Sequence, residues 1–228
     1  MPAWTIAAAQ YAVRSRSVAE NISHHLRFIH AAADQDCHVL LFPEMALSGP
    51  ATSAPLPPPP DAELLQPLCY AADRYQMTII TGLSVAHPGG MAPGVAIFVP
   101  GARQPHIWRQ GKGTCLSPVN RQYTIFADDA EGNDLDPLAS LLATGTRTDE
   151  FQQLQSAARL QHFAHKYAIA VLQANASGGS ALWDENGQLI VRADGGDLLL
   201  TGRRFDGGWE GDIIPMQEYV VDEYACGA

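Results

Sequence analysis

Basic residues are scarce. Against 24 acidic residues the 228-residue chain has only 14 lysines and arginines, giving a formal net charge of −10, and Lys112 and Lys166 are its two lysines. A nucleic-acid binder needs a basic face to neutralise phosphates, so that class is excluded, as is a polybasic anchor to anionic lipid. Long apolar runs are lacking too, since none approaches the ~20 residues that span a bilayer. The Met1–Gln10 segment has no basic start and too short an apolar stretch for a secretory signal. Cysteine is sparse: Cys37, Cys69, Cys115 and Cys226 lie far apart with no CxxC pair, the pattern of buried or free thiols rather than of a disulfide framework. A soluble, cytoplasmic protein without nucleic-acid or membrane partners is expected.

Several motifs are also missing. There is no GxGxxG, no GxxxxGK(S/T) and no GxSxG, which argues against a nucleotide-binding loop and against a hydrolase serine elbow. The closest histidine pairs, His24-His25 and His162-x-x-His165, have no acid or cysteine at ligand spacing, so solvated helix-face histidines are expected, with no metal and no cofactor.

What is present alternates between strand and helix patterns. Thr5–Gln10 is a short apolar strand, and Ser17-Val-Ala-Glu20 is a capping box opening an amphipathic helix from Val18 to about Gln35, with Val18, Ile22, Leu26 and Ile29 on one face. Val39–Phe42 reads as a strand buried on both faces, which completes a βαβ unit. Pro55 and Pro57–Pro60 form a stiff surface loop, or less readily a ligand for a proline-binding domain. A second helix is expected over Asp61–Gln76, a buried strand over Thr78–Ser84, and strands over Val95–Val99 and His106–Arg109. Thr148 is expected to cap a helix running to about Tyr167. Short strands follow at Ala170–Ala174, Ala181–Asp184, Leu189–Arg192 and Leu198–Gly202, with Glu185-Asn-Gly187 a hairpin turn. Layered α/β architecture in one domain over residues 1–228, with 203–228 a C-terminal tail, follows.

Two features carry chemistry. Leu40-Leu-Phe-Pro-Glu44-Met-Ala-Leu-Ser-Gly49 puts a carboxylate just past the C-terminal end of a buried strand, the edge where α/β sheets form binding crevices. Beside apolar Leu, Phe and Met, Glu44 should have the raised pKa of a general base; the alternative is a solvated loop acid. Lys112, in Trp108-Arg-Gln-Gly-Lys112-Gly-Thr-Cys-Leu116, follows a strand, where a compact ammonium can hold a developing oxyanion or can simply be solvated.

Together these residues resemble the nitrilase superfamily, the carbon–nitrogen hydrolases. The likeness includes Ala-Ala-Gln10, Ala19-Glu-Asn21, Leu41-Phe-Pro-Glu44 with Ser-Gly49, Lys112, and Ile169–Asn175 followed by Gly179-Ser-Ala-Leu-Trp-Asp-Glu-Asn-Gly187. It implies an α-β-β-α sandwich with two packed mixed sheets, usually homodimeric, and a Glu–Lys–Cys set hydrolysing a small amide through a thioester. By that resemblance Glu44 is the base and Lys112 the oxyanion stabiliser.

The expected nucleophile is missing. No cysteine lies between Cys115 and Cys226. In the nearest match to the family's cysteine strand, Tyr123-Thr-Ile-Phe126-Ala-Asp128, Phe126 takes the cysteine's place, unless that strand is deleted altogether. Cys115, three residues after Lys112, is the weak candidate to substitute, and Thr114 and Ser117 are weaker still. The family's second glutamate has no counterpart in Ser117-Pro-Val-Asn-Arg-Gln122. The resemblance therefore implies an amidase-type hydrolase with an unidentified nucleophile, or a non-catalytic homologue that binds a small molecule or acts through its oligomer.

Overall fold

The computed structural model describes residues 4–14, 16–50, 55–109, 114–116, 124–127 and 139–217, with the backbone alone for 114–116 and 124–127. In chain order the elements are β1 (Trp4–Gln10), α1 (Val18–Ala33), β2 (Val39–Leu41), α2 (Gln66–Arg74), β3 (Thr78–His87), β4 (Gly90–Phe98), β5 (His106–Arg109), β6 (Thr114–Leu116), β7 (Thr124–Ala127), β8 (Ala139–Thr146), α3 (Glu150–Tyr167), β9 (Ala170–Asn175), β10 (Ser180–Trp183), β11 (Leu189–Ala193), β12 (Leu198–Phe205) and β13 (Gly208–Pro215).

They form two mixed sheets. The first has the order β13-β12-β1-β2-β3-β4-β5 and the second β11-β10-β9-β8-β7-β6. In each, three parallel strands sit inside flanking antiparallel ones: β1, β2 and β3 in the first, β7, β8 and β9 in the second. The continuous apolar strands are explained by burial on both faces. Trp4, Ile6, Ala8, Val39, Leu41 and Ile80 meet Leu141, Ala143, Ala170 and Leu172 between the sheets. The alternate residues Ala7, Ala9, Leu40 and Ile79 pack outward beneath α1 and α2 with Phe28, Ile29 and Leu68. On the far side Leu142 and Val171 pack against Leu160, Phe163 and Ala164 of α3. This is the expected α-β-β-α sandwich. Among the described residues no helix is long and apolar enough to cross a membrane.

The capping box forms as expected: Ser17 Oγ accepts from the Glu20 amide (3.2 Å) while Glu20 Oε2 accepts from the Ser17 amide (2.9 Å). Several boundaries differ. β3 runs on to His87 and β4 starts at Gly90, the two forming one long hairpin. The second helix is confined to Gln66–Arg74, because turns occupy the residues before it and proline stands at its first turn. The third helix is capped by Asp149 rather than Thr148, in a box with Gln152; the Thr148 amide instead donates to Asn175 Oδ1 (2.9 Å). The tail expected over 203–228 is corrected in its first part, where β12 runs on to Phe205 and β13 pairs with it antiparallel. Residues 218–228, including Cys226, lie outside the described residues.

Candidate active site

Glu44 lies just past β2, where the chain passes close to β8 of the opposite sheet. The Phe42 amide continues the ladder beyond β2 by donating to the Ile80 carbonyl (2.8 Å), and the chain then turns sharply, with the Leu47 amide donating to the Gly82 carbonyl (3.0 Å) and the Gly49 amide to the Met45 carbonyl (2.9 Å). Met45, 1% exposed, takes a left-handed φ of 56°, a conformation that costs a non-glycine residue energy and survives only where the surroundings fix it. Here they do. A side chain on Gly82 of β3 would overlap the Met45 amide and lie 2.8 Å from the Glu44 carbonyl carbon. One on Gly145 of β8, in the opposite sheet, would lie 2.7 Å from the Phe42 carbonyl oxygen and 3.2 Å from the Glu44 amide. Two strand glycines thus clamp the turn from either side.

α1 braces the same turn. Asn21 Nδ2 donates to the Leu47 carbonyl (2.9 Å), and Ser48 Oγ accepts from the Ser84 amide of β3 (2.9 Å). His25, fully buried, stacks on Phe42 with ring centroids 4.0 Å apart. Its Nδ1 donates to the Asn21 carbonyl (2.7 Å), which leaves Nε2 to accept from the Thr81 hydroxyl (2.9 Å). Burial pulls its pKa down to about 3, so His25 is a neutral structural group. The expectation of solvated histidines is corrected here: it holds for the exposed His162 and His165, while His24 is half-buried and His25 belongs to the core.

Glu44 itself is partly buried, and desolvation raises its pKa above the ordinary carboxylate value against an opposing pull from Arg147. A carboxylate poised in this way accepts a proton more readily than a solvated one.

The other sequence candidates are less fully placed. Lys112 and Ser117 lie outside the described residues, and Thr114 and Cys115 fall on β6, of whose side chains nothing is described. β6 ends its sheet, pairing with β7 so that Cys115 faces Phe126, and β7 in turn pairs with β8. Two inter-strand spacings, about 10 Å in all, therefore separate β6 from the strand whose Gly145 touches the Glu44 turn. A strand carrying Phe126 is present, with Phe126 opposite Leu142 of β8.

The Asn175 and Ser180 stretch turns out to be a fastening. Gln10 Oε1 accepts from the Ser180 amide (3.0 Å) and Ser180 Oγ from the Asn175 amide (2.9 Å). Asn175 Nδ2 donates to the Thr148 hydroxyl (2.9 Å). These buried polar groups are satisfied, as burial requires, and tie β1 to the second sheet. Sequence reasoning missed Gly82, Gly145 and Met45. A glycine inside the apolar run Thr78–Ser84 was the available signal, since it marks a strand where another backbone approaches closely.

Comparison with known proteins bears on the fold. Residues 5–111 match the carbon-nitrogen hydrolase family. The fold is similar to that of an amidase from Nesterenkonia sp. (15% identity, TM-score 0.72, covering 94% of this chain and 92% of that one). It is also similar to Nit3 of Saccharomyces cerevisiae, a member of branch 10 of the nitrilase superfamily (13% identity, TM-score 0.74, 90% and 91%). A third likeness is to a CN-hydrolase superfamily protein of Xanthomonas campestris (15%, TM-score 0.72, 91% and 92%). At such identities these structures speak for the fold alone. The N-terminal part of the chain, residues 5–111, thus matches the carbon–nitrogen hydrolase family, and over nine-tenths of its length the chain has a fold similar to that of these nitrilase-superfamily structures.

Proposed function

We propose that the protein hydrolyses the carbon–nitrogen bond of a small, non-peptide amide, with Glu44 as proton acceptor and Lys112 as the cation for the oxyanion. The observation that carries this reading is the Glu44 turn, a carboxylate held between two sheets with a raised pKa. Glu44 takes a proton from the attacking group, a water or a thiol, as that group adds to the amide carbon. The Lys112 ammonium offsets the charge gathering on the carbonyl oxygen. Glu44 then returns its proton to the departing nitrogen and ammonia leaves; where water attacks, the acid is the product, and where a thiol attacks, a thioester is left that a water deprotonated by Glu44 hydrolyses to the acid, freeing the thiol. Cys115 is the only thiol proposed for the attack, and its place on the edge strand argues against it.

Short aliphatic amides are the first substrates to try, because the Nesterenkonia amidase fold has been solved with butyramide bound. The test is ammonia release from acetamide, propionamide and butyramide by the wild type and Cys115→Ala. Release that persists in Cys115→Ala assigns the attack to Glu44-activated water, and release lost in that folded variant assigns it to the thiol. A second reading, a non-catalytic homologue that binds a small amide, is favoured by one observation: β7 exists and has Phe126 where the resemblance expects cysteine. Saturable butyramide binding without ammonia release would select it.

We further infer a cytoplasmic homodimer. Phe151 is 92% exposed and Leu154 70% exposed, three residues apart on α3, a spacing that sets both apolar groups on one face of the outer helix. Cys37 and Cys69 are free, buried thiols, in keeping with a reducing compartment.

A further inference from the structure

At the junction of β1 and α1 a cavity of about 190 Å³ has an unusual charge for an acidic protein: Arg14, Arg16 and Arg27 line it together with a single carboxylate, Asp197. Three guanidiniums against one aspartate leave a local excess of two positive charges in a chain whose net charge is −10. Tyr11 forms part of the same wall. It is 5% exposed, its ring is fixed edge-on to His24 (4.5 Å) and against Phe28 (5.1 Å), and its buried hydroxyl has no hydrogen-bond partner among the described residues. The hydroxyl is closed off from the cavity, so the Tyr11 ring serves as its apolar wall and the charge is left to the arginines.

At the start of α1 the Ser17 and Glu20 amides are already taken by the capping box. Recognition falls to side chains. Guanidinium groups present planar forks that match tetrahedral or planar oxyanions bidentately, and the excess charge balances a dianion. We propose that this cavity binds a phosphoryl group, either inorganic phosphate or the terminus of a phosphomonoester, held by Arg14, Arg16 and Arg27. The cavity shares Asn21 with the brace of the Glu44 turn but does not include Glu44, and its occupancy requires no turnover.

Titration calorimetry of the full chain at pH 7.5 and low ionic strength tests this, with inorganic phosphate and methyl phosphate as separate arms and acetate as a monoanion control. Saturable one-to-one binding is expected, weakened roughly tenfold by Arg14→Gln or Arg27→Gln, the loss of one charge-assisted contact, and unchanged in Tyr11→Phe, whose hydroxyl is closed off from the cavity. Phosphate binding alone identifies the free ion, and methyl phosphate binding at least as tightly identifies an ester terminus; both support the proposal. Arg14 and Arg27 are exposed, so their variants keep the test valid if Tyr11→Phe fails to fold. The proposal is overturned by an absence of saturable binding at tens of millimolar, by affinity unchanged in both arginine variants, or by acetate competing as well as phosphate.

Discussion

At the residue scale, Glu44 and His25 make opposite demands on the fold. Burial raises the Glu44 pKa above its unfolded value, so between those two values the folded state holds more protons than the unfolded one, and stability from this group is lost as pH rises through the folded pKa. Glu44→Gln, which never ionises, is expected to melt above the wild type at pH 7.5, with the gap closing near pH 4; a variant melting below the wild type at pH 7.5 contradicts the desolvated carboxylate. His25 behaves in the other sense. Its folded pKa of about 3 lies below the unfolded 6.5, so its contribution is present above pH 6.5 and erodes as pH falls. From pH 6.5 to 5 that loss amounts to about 2 kcal/mol. Urea denaturation at pH 7.5 and pH 5 should show this slope in the wild type and a shallower one in His25→Gln.

Elements show how a short motif becomes a site. Phe42-Pro-Glu44 was legible because a buried strand ending in proline and an acid has few other readings. The clamp that holds it was not, because Gly145 lies a hundred residues downstream and its closeness to Phe42 exists only once the two sheets have packed. Gly82→Ala and Gly145→Ala are each expected to cost about 1–3 kcal/mol, the usual penalty for overpacking a close contact, and to lower activity with it. Gly195→Ala, where an added methyl meets nothing within 4 Å, serves as the control in thermal unfolding. His25 was legible in principle, since Ile22, His25 and Ile29 share a helical face, yet a lone histidine offers no sequence sign of the Thr81 that pairs with it. β13 went unread for a different reason: Gly208–Pro215 is an edge strand of mostly exposed and half-exposed residues, so it lacks the apolar alternation by which strands are recognised.

The whole molecule is a two-sheet sandwich whose Glu44 turn depends on both sheets and on α1. Its layers were anticipated from the strand–helix alternation together with the family resemblance. The Lys112 segment, 110–113, lies outside the described residues. The outer face of α3 makes a prediction at this scale: light scattering should find a dimer in the wild type and a monomer in the Phe151→Glu, Leu154→Glu double variant, while a monomeric wild type would contradict the homodimer. The central claim is that Glu44 is the working base of a carbon–nitrogen hydrolase, and ammonia release from butyramide by the wild type and Glu44→Gln tests it most directly. The account predicts release by the wild type and a loss of about 100-fold or more in the variant, the scale of a general base. Equal release by both proteins, or none from a folded wild type on any short amide, would contradict it.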